Sequence, residues 1–340
     1  MTLYDNDSYT TPSAEYSTDG ETWYTYVMGT EIPLANAGDK VYFRGDNPNG
    51  FNGNEEHYCG FQFTGKVDGS GNVMSLVDST CRSNYIPASN CFDCLFYYAS
   101  GLRTAPELPA TTLTEYCYNK MFYGCTDLVK APELPATILA YYCYNHMFEG
   151  CTSLSAAPAL PATTLADGCY YSMFYECTSL SIAPELPATT LRASCYSAMF
   201  YGCTSLVSAP DLPATTIADS CYLEMFSECT SLAFAPSALP ATTLDMFCYQ
   251  SMFNGCSALA FAPVLPATTL AECCYNAMFY GCSSLSEVNV SFTDWNEEGY
   301  STGGWLDGVS STGIFNCPAA LDTTTRDANH VPEEWVVVNA

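Results

Sequence analysis

The chain has 340 residues, of which 36 are acidic and 9 are basic, so its net charge at pH 7 is −27. Hydrophobic residues make up 48% of the chain, which excludes a disordered acidic tail and allows a large buried core. The negative surface repels phosphate backbones and anionic lipid, and no apolar run approaches the roughly 18 residues of a membrane span. We therefore expect no nucleic-acid partner and no membrane insertion.

Residues 1–75 lack any repeat. The stretch EYSTDGETWYTYVMGTEIPLANAGDKVYFRGDN alternates aromatic or β-branched residues with polar ones and is broken by glycine-containing turn signals, which is typical of antiparallel strands. The stretch GFQFTGKVDGSGNVMSL predicts a further hairpin. This part of the chain is therefore predicted to be a small antiparallel β module.

The middle of the chain repeats one unit, CYxxMFxGCxxLxxAPxLPATTL. The step between units is 26 residues, and the last step is 27 because one unit reads APSALPATTL. A period of this length indicates a solenoid, in which each coil covers the apolar face of its neighbour. The prolines of the AP pairs mark seven full repeats: Pro106, Pro132, Pro158, Pro184, Pro210, Pro236 and Pro263.

The first half of each unit shows a helix-like spacing of apolar residues. In one unit, Leu113, Cys117, Met121, Cys125 and Leu128 follow one another at steps of four, four, four and three. We interpret this spacing as the buried face of a short helix.

Capping signals agree with that interpretation. Thr112 and Glu115 have the spacing of a capping box, and Gly124 lies where the helix should end. Glu176 and Glu228 replace this glycine in two units, so we expect that a positive φ is not required at this place.

The segment that follows is predicted to be a thin parallel strand. Leu128–Lys130 can form it, but Pro132 recurs in every coil and cannot donate a backbone N–H to a ladder. The strand should therefore be about three residues wide and continue as extended, polyproline-like chain. The predicted fold class is an α/β solenoid, a right-handed coil with a thin parallel strand ladder and short helices, preceded by the antiparallel β module.

Three parts are expected along the chain. They are the β module at 1–75, the solenoid at 76–290 and a C-terminal capping coil at 291–340. The solenoid includes a degenerate first unit, CFDCLFYYASGL, before the seven full repeats. The atypical ends should cap the stack, since a solenoid otherwise exposes its core.

The recurrent MFYGCTSL, followed by a strand and a proline, resembles the BspA-type leucine-rich repeats. The resemblance covers about residues 91–290, and the 26-residue variant is similar to those of gut Bacteroidales surface proteins and of their phages. It implies a leucine-rich-repeat fold and an interaction scaffold. It specifies the fold well and the function poorly, because such repeats have many partners.

A count of 20 cysteines suggests disulfides or zinc sites, but the spacing of these cysteines argues against both. Cys117 and Cys125 are eight residues apart, roughly 12 Å along a helix, whereas a disulfide needs Cα atoms within about 7 Å. We expect free, buried thiols that pack as small hydrophobic groups.

Catalysis has little support in the sequence. None of the three histidines, His57, His146 and His330, lies in a recognisable nucleophile or metal motif. The loop DNPNGFNGNEE at 46–56 could ligate calcium, although a plain Gly/Asn loop is the favoured interpretation. We expect no catalytic residue, no metal and no cofactor.

Candidate binding residues are those that differ between repeats. Two sets of positions should line up on the strand side: the two residues after each recurrent Leu, and the residue inside APxLP. We call these positions the strand-side ribbon. Phe234 and Phe261 should be neighbours there, either outward or folded under the strand edge. The candidates are Phe234, Phe261, Lys130, Ile182, Glu133, Glu185 and Asp211, with Phe247 from a second drifting position before CY.

Two functional classes fit these features. The first is a non-enzymatic recognition or adhesion protein that presents the solenoid to a bacterial surface glycan or protein, such as a phage receptor-binding or virion decoration protein. The alternative is a structural component, a spacer or a self-associating virion or surface protein. The N-terminal MTLYDNDSYTT has no secretory signal pattern, and we expect an extracellular or virion-surface location.

Overall fold

The computed structural model describes residues 1–6, 11–53 and 56–339. The N-terminal part is a small antiparallel β module, as predicted: β2 lies between β3 and β4, and β1 pairs with β5 in a second sheet. The elements of this part are β1 (Thr2–Asp5), β2 (Glu15–Ser17), β3 (Tyr24–Thr25), β4 (Tyr42–Arg44), β5 (Cys59–Gln62), β6 (Val67–Asp68) and a 3₁₀ helix (Val73–Leu76).

The hairpin predicted from GFQFTGKVDGSGNVMSL is wrong. Strand β5 pairs with β1, and β6 pairs in parallel with β7 (Leu102–Thr104), which belongs to the first, degenerate unit. The module is thereby joined to the repeats through backbone hydrogen bonds and through one continuous hydrophobic core.

From β7 to β8 (Glu287–Asn289) the chain forms a stack of coils, one for each repeat. The predicted strand of each coil is reduced to single bridged residues, because the proline two positions later cannot donate to a ladder. Parallel bridges connect equivalent residues of successive coils: Thr104 with Lys130, Ala156 with Ile182, Ser208 with Phe234, and Phe261 with Glu287.

The predicted helices are wrong. Among the described residues the only helices are two short 3₁₀ helices, Val73–Leu76 and Glu297–Gly299, and neither lies in a full repeat. The first half of each repeat is instead a run of consecutive turns, which we call the turn run.

Backbone hydrogen bonds in the turn run alternate between two kinds of partner. The N–H of Cys117 donates to the carbonyl of Thr114 within its own coil, at 3.3 Å. The next N–H, of Tyr118, donates to the carbonyl of Cys143 in the following coil, at 3.0 Å. Because this alternation continues along the turn run, every second amide ties one coil to the next.

Every fourth residue of the turn run is left-handed. Tyr116, Lys120 and Gly124 have φ values of 54°, 51° and 69°. A positive φ at the third position is what a type II turn requires. Glu176 and Glu228 have φ values of 54° and 61°, so the expectation that this place does not need a positive φ is wrong.

The exact step of the apolar residues explains why turns replace the helix. At about 100° per residue, a step of four advances about 40° beyond a full turn, so three such steps drift about 120° off one helix face. In the turn run, buried pairs such as Cys117–Tyr118 and Met121–Phe122 recur every four residues without drift.

Two aromatic ladders fill the core of the stack. One is a tyrosine ladder built from the recurrent CY, with ring centroids 5.6–5.9 Å apart. The other is a phenylalanine ladder with centroids 5.4–5.7 Å apart. The members are Tyr118, Tyr144, Tyr170, Tyr196, Tyr222, Tyr249 and Tyr275, and Phe96, Phe122, Phe148, Phe174, Phe200, Phe226, Phe253 and Phe279.

Both ends of the ladders are covered by other aromatic side chains. Phe61 of β5 stacks on Phe96 at 5.4 Å. At the other end, the Trp305 ring lies 6.3 Å from Tyr275 and 6.4 Å from Phe279. The strands β8, β9 (Ile314–Cys317) and β10 (Val336–Asn339) form a parallel sheet that extends the stack beyond the last repeat.

The left-handed positions generate a stability prediction. Glu176→Gly should raise the free energy of unfolding by about 1 kcal/mol, because a left-handed conformation costs an ordinary residue about 1–2 kcal/mol and costs glycine almost nothing. Chemical denaturation measures the effect. Glu176→Ala is the matched control and should not show this gain. A glycine variant no more stable than the alanine variant would contradict the assignment.

Candidate functional site

The strand-side ribbon exists as a set of residues in register. The parallel bridge between Ser208 and Phe234 is closed by the N–H of Ala209, which donates to the Phe234 carbonyl at 2.9 Å. The N–H of Phe234 donates in turn to the carbonyl of Val207 at 3.2 Å. Because its backbone is held on the preceding coil in this way, the direction of the Phe234 side chain is set by the fold.

Phe234 and Phe261 both point outward. Their exposed fractions are 64% and 62%, so they are not folded under the strand edge. They occupy the same position of successive coils, and hydrogen-bonded strands lie about 4.8 Å apart. In a protein that buries its framework aromatics almost completely, two exposed phenylalanines in adjacent coils form a distinct surface feature.

The other predicted residues of this position lie at increasing distance from the pair. Ile182, with an exposed fraction of 64%, is two coils from Phe234, or about 10 Å. Lys130 is exposed but four coils away, or about 19 Å. The ribbon therefore brings Ile182 close to the phenylalanines and leaves Lys130 at its N-terminal end.

The APxLP position changes from acidic to apolar along the stack. Glu133, Glu185 and Asp211 are all exposed. In the later coils Ala238 bridges Val264, whose exposed fraction is 43%. The acidic candidates thus flank the N-terminal side of the apolar part of the ribbon.

Phe247 does not belong to this surface. It lies in the turn run with a φ of 55°, and its N–H donates to the carbonyl of Glu272 at 3.0 Å. Its side chain is half-buried, so the structure separates it from Phe234 and Phe261.

A second surface, on the turn runs, was missed by sequence reasoning. Tyr175 and Tyr201 stack with ring centroids 4.5 Å apart and rings tilted by 3°. Burial, followed by the nearby Tyr201 and Glu176, raises the pKa of Tyr175 to about 12. Aligning the residue directly after each recurrent Met–Phe, which is Leu–Phe in the first unit, would have shown this position. It reads Tyr97, Tyr123, Glu149, Tyr175 and Tyr201 in successive units.

Glycines in neighbouring coils make room for the large residues of the turn runs. A Cβ at Gly168 would lie 2.6 Å from the ring of Tyr142, and a Cβ at Gly255 would lie 2.7 Å from a carboxylate oxygen of Glu228. Where a bulky side chain takes a left-handed position, the next coil therefore carries glycine in several units.

The two recurrent thiols of each repeat are buried and free, whereas the additional Cys273 of the last repeat is half-buried. The second cysteine of each unit donates its S–H to the phenylalanine carbonyl of the preceding coil, for example Cys151 Sγ to Phe122 O at 3.2 Å. Burial raises the pKa of Cys143 to about 12. A thiol held in its neutral form is a poor nucleophile, so these ladders pack and do not react.

Several other titratable groups form local contacts. Asp46, in the loop considered for calcium, accepts a hydrogen bond from the Ser79 N–H at 2.9 Å, and this bond lowers its pKa. Asn54 and Glu55 of that loop lie outside the described residues. His146 contacts Glu149, and His330 lies between Asp327 and Glu297, with nitrogen–oxygen distances of 2.8 and 3.3 Å.

Within residues 1–6, 11–53 and 56–339, no group of three or more His, Cys, Asp and Glu residues could hold a metal ion. In the same part of the chain, no helix has the length and apolar character needed to cross a bilayer.

Comparison with protein-family models gives no match, and neither the curated proteins nor the solved structures include one that matches the chain.

The buried thiols generate a pH prediction. Their folded-state pKa values are raised above the ordinary 9.0, so the stability they contribute is complete below pH 9.0 and is lost as the pH rises toward about 12, the folded-state value of Cys143. Each such thiol changes the free energy of unfolding by up to about 1.4 kcal/mol per pH unit across this window. We expect cooperative unfolding between pH 9 and 12, measured by circular dichroism.

Cys81→Ala is the control for this titration, because Cys81 is exposed and outside the ladders. It should leave the midpoint of the alkaline transition unchanged. A chain that keeps its native dichroism through pH 12 would contradict the prediction, and so would a wild-type chain whose ladder thiols are found in disulfides.

Proposed function

We propose that the chain is a non-enzymatic recognition protein that presents its strand-side ribbon to a glycan or protein on a bacterial surface. The main observation behind the proposal is that Phe234 and Phe261, in adjacent coils, have exposed fractions of 64% and 62%. Exposed aromatics lower solubility, and contact with a partner removes them from water.

Comparison between repeats supports this choice of surface. The framework positions are the same in every coil and cannot distinguish one ligand from another. At the position of Phe234, earlier coils carry Lys130, Ala156, Ile182 and Ser208. A position that changes chemistry while its backbone stays in register is suited to recognition.

We also propose the finer fold: a right-handed leucine-rich-repeat solenoid of the BspA type, built from turn runs instead of helices. The 26-residue register of the parallel bridges supports it. Such a protein would act outside the cell or on a virion, as an adhesin, a receptor-binding protein or a capsid decoration.

The test of the function is attachment to cells. Phe234→Ala combined with Phe261→Ala should weaken binding to whole gut-anaerobe cells at least about thirtyfold, since truncating a well-packed interface aromatic commonly costs about 2 kcal/mol. Ile138→Ala is the matched control, because Ile138 has an exposed fraction of 59% and lies outside the ribbon. Circular dichroism checks that each variant is folded.

Equal binding by the folded double variant and the wild type would reject the ribbon as the site. The assembly alternative gives a different result: the wild type would then form an oligomer in light scattering, and the double variant would be a monomer.

A further inference from the structure

The C-terminal half of the strand-side ribbon carries a group of exposed apolar side chains in successive coils, which we call the patch. It contains Ile182, Val207, Phe234, Phe261 and Val264, with exposed fractions of 64%, 46%, 64%, 62% and 43%. From Ile182 to Phe261 it spans three coil steps, or about 14 Å. A patch of this kind marks a contact surface, and its chemistry limits what can cover it.

The patch offers little to a saccharide. Between Ala233 and Val264, all within the described residues, the ribbon positions carry alanine, phenylalanine, serine and valine, and no charged or amide side chain. The hydroxyls of Ser181 and Ser208 already donate to the carbonyls of Ser155 and Ala209, each at 3.3 Å. A sugar bound here would leave its hydroxyl groups without partners, and a buried unpaired polar group costs about 1–3 kcal/mol.

Carboxylates flank the patch on both sides. Glu185 and Asp211 are exposed beside its N-terminal half, three residues after Ile182 and Ser208, and Glu287 follows Phe261 directly through a parallel bridge. Arg192 is the one basic residue between residues 131 and 325, and its guanidinium pairs with Asp167 at 3.2 Å. The flanking charges are therefore not neutralised by Lys or Arg from the chain itself.

This charge pattern selects among possible occupants. A second copy packed face to face would bring acidic flanks against acidic flanks, and like charges across an interface are costly. An anionic lipid surface would be repelled for the same reason. A surface with an apolar centre and basic flanks complements the patch in both respects.

We propose that the occupant of the patch is a protein segment that presents apolar side chains between lysine or arginine residues. This inference rests on the proposed recognition function. It narrows the ligand class from a glycan or a protein to a protein segment with positively charged flanks.

The test uses the full chain and synthetic peptides as probes. One peptide has a Leu-Val-Phe-Val centre between lysine triplets, a second has the same centre between glutamate triplets, and a third has a serine centre between lysine triplets. The fourth probe is a neutral glucan oligosaccharide. We expect the apolar, lysine-flanked peptide to bind at least about tenfold more tightly than each of the others at low salt.

A charge reversal sharpens the test. Glu185→Lys combined with Asp211→Lys should reverse the preference, so that the glutamate-flanked peptide binds more tightly than the lysine-flanked one. Glu107→Lys combined with Glu133→Lys is the matched control, because it makes the same charge change at the same position of coils distant from the phenylalanine pair. The control should keep the wild-type preference.

Equal binding of the lysine-flanked and glutamate-flanked peptides would overturn the proposal, and so would tighter binding of the oligosaccharide or binding of none of the probes. Those results leave the proposed function separately testable. If the phenylalanine double variant still loses attachment to cells, the ribbon is the site and only the assigned ligand class is wrong.

Discussion

The stack depends on the alternate amides of the turn run, each of which donates to a carbonyl of the following coil. This pattern requires a left-handed residue at every fourth position, and residues as different as Tyr116, Lys120 and Glu176 adopt that conformation. The cross-coil bonds hold equivalent residues one above another, so identical side chains must pack as ladders. The tyrosine, phenylalanine and cysteine ladders follow from that register, as does the outward direction of Phe234.

Much of the fold could be predicted from the sequence, because a fixed period leaves few architectures open. The stack of coils, its free buried thiols and the antiparallel β module were predicted and confirmed. The predicted helices were wrong. The four-residue steps from Cys117 to Met121 to Cys125 were taken as an approximation to the helical period of 3.6 residues, whereas the buried residues of the turn run recur every four residues. The β5–β6 hairpin failed for another reason: pairing of β6 with β7 depends on the module docking on the first coil, which no local pattern encodes.

The candidate site was predicted in part. Positions that change between repeats located the ribbon, and the structure places Phe234, Phe261 and Ile182 on one surface. Phe247, chosen from a second drifting position before CY, lies in the turn run and so is not part of the ribbon. The stacked Tyr175 and Tyr201 escaped notice because the position directly after Met–Phe was not among those compared between repeats.

The cross-coil hydrogen bond is the central claim, and scalar coupling across hydrogen bonds in nuclear magnetic resonance tests it most directly. In the deuterated, isotope-labelled chain, the amide nitrogen of Tyr144 should couple to the carbonyl carbon of Cys169 in the next coil, since that N–H donates to that oxygen at 3.0 Å. An α-helix would instead couple Tyr144 to the carbonyl of Ala140, four residues earlier. Observation of the Ala140 coupling, without the Cys169 coupling, would contradict the account.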